Sequence, residues 1–189
     1  MEYLKQLIDT ASREREIQIY LKNNLHIIGN AHSFPKGEYI VISEFPVEDG
    51  RCDFVLLSSR SRMSVTFIEI KGADFNFTNN MDRFSSPIND ASEQIESRLA
   101  YLDRNYESFR RKIHQLRQSS IDNNCPHNSV CSTQRYLGVD PNKDIVMDGV
   151  VIGGRTVNDT LESQLKWNKE KLNSNIRYQS WDSWLRKYA

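Results

Sequence analysis

The chain has 189 residues, 38% of them hydrophobic and 26% charged, with 25 basic side chains balanced by 25 acidic ones. That length can bury a sizeable core, while the even charge excludes polyanion binding by the field of the whole protein and leaves it to local clusters. No apolar run reaches the length of a membrane span and no charged-then-apolar leader opens the chain; with three cysteines, a reducing, cytoplasmic location without membrane attachment is expected.

Residues 9–28 (DTASREREIQIYLKNNLHII) place Ile17, Leu21, Leu25 and Ile28 at helical spacing, with Glu14 and Gln18 on that face and Arg13, Arg15 and Glu16 mostly outward. The breaker-rich stretch 29–37 (GNAHSFPKG) reads as a loop. Three runs rich in Val, Ile and Phe follow, at 38–47, 52–59 and 64–72, joined by connections short enough for an antiparallel meander. Residues 73–87 lack a period and read as a loop.

From about Ile88 to Ser119 the spacing predicts a long helix, with Ala91, Ile95, Leu99, Leu102, Tyr106, Phe109, Ile113 and Leu116 along one side. Residues 119–145 are polar and hold two prolines, and read as an irregular insertion. A strand at 146–154, a polar helix at 158–172, and a last strand leading into a short helix complete the chain. This order predicts an α/β sandwich with a mixed central sheet flanked by helices, as one domain over 1–189.

The chemistry concentrates in SVTFIEIKG (64–72). Alternation puts Val65, Phe67, Glu69 and Lys71 on one face of a strand that is otherwise apolar on both sides. A hairpin turning about Ser61 places Asp53 opposite Glu69, so two carboxylates meet beside an ammonium. Close carboxylates repel, and a divalent cation between them removes that cost. Mg²⁺ takes oxygen ligands and is commonly held by one or two carboxylates with substrate phosphate, while a neighbouring lysine stabilises charge on the phosphate. Glu14, on the inward face of the first helix, offers a further carboxylate, with Glu16 the competing choice; Gln94, on the inner side of the long helix, could orient a phosphate.

CDFVLL (52–57) followed by IEIKG (68–72) resembles the D-(x)n-E-x-K core of the PD-(D/E)xK nuclease superfamily. The segments EREIQIYLKNN, SEFPVEDGRCDFVLL, FIEIKG, ASEQIESRLAYL, GVVIGGR and YQSWDSWL follow one another as in the nuclease domain of Shedu anti-phage defence proteins, leaving out only 119–145. Cys52 stands where the superfamily often has proline. The resemblance implies a restriction-endonuclease-like fold and an endonuclease that hydrolyses DNA phosphodiesters with Mg²⁺ or Mn²⁺ as a homo-oligomer. It also implies Asp53 and Glu69 as metal ligands, Lys71 as the catalytic lysine, Glu14 as an accessory acid and Gln94 as the helix glutamine. A catalytically silent nucleic-acid-binding or assembly module, or a nuclease acting on RNA, are the alternatives.

Plainer readings stand beside these. Glu69 and Lys71 could be a surface ion pair on an edge strand. Arg110, Arg111 and Lys112, and likewise Lys166, Lys169 and Lys171, are solvated helix faces unless nucleic acid binds, when they become the candidates for phosphate contact. Cys125, His127 and Cys131 are spaced as three zinc ligands with His114 a possible fourth, but lack paired Cys-x-x-Cys knuckles and are better read as free. Trp167, Trp181 and Trp184 read as core or oligomer contacts.

Overall fold

The computed structural model describes the whole chain except Asn123, Asn124, His127 and residues 133–136. In chain order its elements are α1 (Glu2–Asp9), α2 (Glu14–Asn23), α3 (His26–His32), β1 (Tyr39–Val47), β2 (Gly50–Ser58), β3 (Ser64–Ile70), α4 (Ser86–Arg104), α5 (Tyr106–Ile121), β4 (Ser129–Cys131), β5 (Val146–Ile152), α6 (Asp159–Leu172), β6 (Ile176–Gln179) and α7 (Trp181–Tyr188). The fold is mixed α/β, with the strands ordered β4-β1-β2-β3-β5-β6. The chain divides into two compact units, one formed by 1–20, 68–96 and 149–189 and the other by 21–67 and 97–148.

In the second unit β1 and β2 form an antiparallel hairpin, from Tyr39 opposite Ser58 to Val47 opposite Gly50, and β4 lies antiparallel on the other edge of β1. A buried cluster takes Ile40, Ile42, Phe45 and Val47 from β1, Cys52, Val55 and Leu57 from β2, Val65 and Phe67 from β3, and Phe109 and Ile113 from α5. Each such side chain contributes roughly 1.5–3 kcal/mol when withdrawn from water. Tyr39 belongs to the opposite face, where α3 lies so close that a Cβ on Gly29 would fall 2.2 Å from the tyrosine ring.

In the first unit β5 and β6 pair in parallel, from Gly149 opposite Ile176 to Ile152 opposite Gln179, which makes the sheet mixed. Tyr178, Trp181 and Trp184 are fully buried there, with the two indoles edge to face at 5.8 Å between centroids. Arg155 joins two helix ends: its guanidinium donates to both carboxylate oxygens of Asp182 in α7 and to the carbonyl of Ile8 in α1. Asn158 and Ser180 cap α6 and α7 by accepting from the N–H groups of Leu161 and Ser183.

Several expectations are corrected. The helix predicted over 9–28 is divided: α1 precedes it, Ala11 has a left-handed φ of 53°, and the turn at Asn24 separates α2 from α3, although Ile17, Leu21, Leu25 and Ile28 are all buried as the spacing predicts. The loop predicted from Gly29 is helical as far as His32, because the glycine there serves close packing on Tyr39 and does not break the helix. The long helix breaks at Asn105, whose side-chain amide donates to the Tyr101 carbonyl. The region 119–145 contributes the short edge strand β4. Trp167 is exposed, unlike Trp181 and Trp184.

His114 on α5 is buried, and neither ring nitrogen has a hydrogen-bond partner among the described residues. Burial, aided by the Arg117 and Arg110 charges against the opposing pull of Asp140, lowers its pKa below the usual histidine value. The unfolded chain therefore binds a proton more readily than the folded one. Stability is expected to be full above about pH 6.5 and to fall as pH drops below it, with His114→Phe flattening that slope in urea titrations at pH 5 to 7.5.

Candidate active site

Every residue of β3 from Val65 to Ile70 is buried, including Glu69, which is 3% exposed. An exposed edge pair is therefore not what Glu69 forms. β3 ends at Ile70, two residues short of the predicted run to Gly72, so Lys71 leads out of the strand.

The main chain of Lys71 is held on both sides. Its N–H donates to the Ile152 carbonyl of β5 at 2.7 Å, and its own carbonyl accepts the indole N–H of Trp181 at 2.8 Å. Gly153 lies so near that an added Cβ would sit 2.6 Å from the Lys71 Cβ. On the next residue, a Cβ at Gly72 would come within 2.9 Å of the main-chain nitrogen of Glu14, and the Gly72 carbonyl accepts from the Gly154 N–H at 2.8 Å. The adjacent Ala73 N–H donates to the Ser12 carbonyl. Two glycines thus bring the start of α2 and the end of β5 against the backbone at Lys71.

That approach sets the two acids of α2 in different surroundings. Glu14 Oε2 lies 3.4 Å from Lys71 Nζ, whereas Glu16 turns back to accept the N–H of Arg13, in the manner of a helix-capping glutamate. The Lys71 ammonium is mostly covered and the Glu14 carboxylate partly open. Lys71 and Glu14 are brought together, and Glu69 lies two residues before Lys71 in the same unit.

Gln94 is exposed, and the inner side of α4 is formed by Ile88, Ala91, Ser92 and Ile95; the inward position predicted for it is not found. The helical phase set by Ala91 and Ile95 turns residue 94 to the edge of that face.

Asp53 belongs to the other unit, half-buried on β2. Its position there is unusual. On β1, Ile40 and Ile42 face the buried cluster and so do Phe45 and Val47, a change of parity; on β2, Leu57 and Val55 face it and so does Cys52, the matching change. The register runs unbroken across the gap, Ser43 opposite Phe54 and Phe45 opposite Cys52, so Glu44 and Asp53 are the residues at which both strands change face. Glu44 has a left-handed φ of 53°. A paired irregularity of this kind re-aims a side chain in the middle of a regular ladder.

The basic run on α5 is largely engaged within the protein. Arg110 donates to the Pro141 carbonyl and to Glu107, Lys112 lies over the Phe45 ring, and Arg111, exposed, donates to the Glu107 carbonyl. On α6, Lys166 pairs with buried Glu162 and Lys169 with Glu96, while Lys171 is exposed. Of the cysteine cluster, His127 lies outside the described residues and the sulfurs of Cys125 and Cys131 are 2.6 Å apart. Among the described residues no group of three or more His, Cys, Asp or Glu side chains stands ready to hold a metal ion.

The residues that fix Lys71 were not among those read from the sequence. The glycine pair at the end of the 146–154 run was the available signal for close backbone approach, while nothing in spacing links Trp181 to Lys71. Gly153→Ala should cost about 1–3 kcal/mol, because the new methyl meets the root of the Lys71 side chain and not a flexible tip; urea denaturation of the variant checks this.

No curated protein matches the chain. The family model described as Shedu protein SduA, C-terminal, matches residues 11–185, nearly the whole chain. With that match, the ordered motifs and the mixed α/β fold together, the chain belongs to the Shedu SduA C-terminal family of anti-phage defence.

Proposed function

We propose that the protein is a divalent-metal-dependent endonuclease of the PD-(D/E)xK type, with a restriction-endonuclease-like fold, that cuts DNA in defence against phage. The observation that carries this reading is the fixed Lys71, its ammonium 3.4 Å from Glu14 and its chain two residues past the buried carboxylate of Glu69. The main-chain bonds on both sides support this reading by holding the lysine in one position.

Asp53 and Glu69 are the residues that would hold Mg²⁺ or Mn²⁺. Their donor set fits: both are hard carboxylate oxygens, and Mg²⁺ is satisfied by one or two carboxylates when substrate phosphate and water complete its shell, so a larger acidic cluster is not needed. When bound, such an ion supplies Lewis-acid polarisation of the phosphodiester and an activated water. The chain's own residues do the rest. Lys71 presents a cationic donor to the phosphate oxygens as negative charge builds there, and its pinned backbone spares the reorganisation a free lysine would need. The Glu14 carboxylate orients the ammonium and supplies the accessory acid. Phosphate contacts farther along the substrate fall to exposed cations such as Arg111 and Lys171, with Gln94 as a neutral contact on α4. The same reading includes assembly of a homo-oligomer.

One other reading is a module of the same family that binds nucleic acid without cutting it. A cleavage assay separates the two. Purified protein should cut DNA only when Mg²⁺ or Mn²⁺ is added, and Asp53→Ala, Glu69→Ala and Lys71→Ala should each lower the rate by at least about 10²-fold while circular dichroism stays that of the wild type. Full activity in all three variants contradicts the nuclease reading. Saturable DNA binding with no cutting in any metal supports the binding module, and RNA offered in parallel defines the substrate class.

A further inference from the structure

The step at which β1 and β2 change face has consequences beyond the hairpin. Glu44 occupies it on β1 with a left-handed backbone, φ 53°, which a side chain of this size adopts only at a cost. A conformation of that kind persists where surrounding contacts determine it, and three do so here. Asn128 accepts the N–H of Ser43 at its carbonyl and donates its amide to the Ser43 carbonyl, fixing both main-chain groups of the residue before Glu44. The Glu44 carboxylate is paired with Lys22 of α2 on one oxygen and lies 3.8 Å from Arg51 on the other. Beyond it, Phe45 is packed into the buried cluster, 6.5 Å from the Phe109 ring. The carboxylate is thus committed to two cations of its own, which leaves the backbone as the contribution of Glu44 to its surroundings.

We propose that Glu44 is a positioning residue for Asp53: its left-handed backbone holds the paired change of face through which β2 presents the Asp53 carboxylate. The inference rests on the reading of Asp53 as a site residue for its functional consequence, and on the hairpin alone for its structural one. If both strands kept regular alternation, the set of residues facing the cluster would slip by one from here to the turn, Phe45, Val47 and Cys52 would leave the core, and Asp53 would enter it.

Two substitutions separate backbone from side chain. Glycine adopts a positive φ freely and has no carboxylate, whereas valine disfavours that φ strongly. In Glu44→Gly the backbone ¹³C chemical shifts of Cys52, Asp53 and Phe54 should match the wild type, and in Glu44→Val they should move while circular dichroism reports a folded protein. Glu44→Asn, whose side chain tolerates the left-handed region, should behave as the glycine variant does. On DNA with Mg²⁺, kcat should stay close to wild type in the glycine and asparagine variants and fall by about 10²-fold in the valine variant with KM unchanged, the loss expected from a small misplacement of a catalytic group. Unmoved shifts at Asp53 in Glu44→Val, or equal losses in the glycine and valine variants, would overturn the proposal. A wild-type protein that cuts nothing would refute the nuclease reading alone, since the chemical shifts still decide the role of Glu44.

Discussion

The main chain at Lys71 is bonded on both sides to distant parts of the sequence, through the Ile152 carbonyl and the Trp181 indole, and Gly72 and Gly153 admit neighbours that any side chain would exclude. The rest of its unit is arranged around that meeting. The start of α2 is drawn in by Gly72, which puts Glu14 at the lysine ammonium; the end of β5 is drawn in by Gly153; and α7 is seated by the burial of Trp181 and Trp184, with Arg155 tying its first turn to α1 through Asp182 and Ile8. Asp182 shows how firm that tie is. Burial alone would raise its pKa, yet the hydrogen bonds from Arg155 and from the Thr156 N–H hold it below the usual carboxylate value.

The second unit solves a different problem. A half-buried aspartate in a hairpin whose neighbours are nearly all core must be kept from following the alternation into the core, and the matching change of face at Glu44 and Asp53 does this without breaking the register. The cost is a left-handed glutamate, which is borne by contacts from Asn128, Lys22 and Arg51. Strain placed beside a residue singled out for chemistry, and balanced by contacts on three sides, is a pattern in keeping with a functional role.

Much of this was legible in the sequence where periodicity governs. Ile17, Leu21 and Ile28, the strands around Val41, Val55 and Phe67, and the capped helix after Asn158 follow from spacing and end signals. Glu69 and Lys71 stood out as charges in an apolar run, and burial of every residue from Val65 to Ile70 bears that out for Glu69. The rest depended on contacts that spacing does not encode. Gly29 looked like a breaker and is a packing glycine against Tyr39; Gln94 looked inward and lies at the exposed edge of its face; the long helix broke at an asparagine that bonds back to Tyr101. The shift of parity from Ile42 to Phe45 was present in the sequence, but it acquires meaning only beside its counterpart on β2.

Membership of a phage-defence family sets the biological context, and the chemistry proposed for it comes down to one pair of carboxylates. Crystals of the protein soaked in Mn²⁺ and measured at the manganese absorption edge test this most directly. The account predicts an anomalous peak bounded by the carboxylates of Asp53 and Glu69, lost in Glu69→Ala; crystals at saturating Mn²⁺ with both side chains ordered and no peak between them would contradict it.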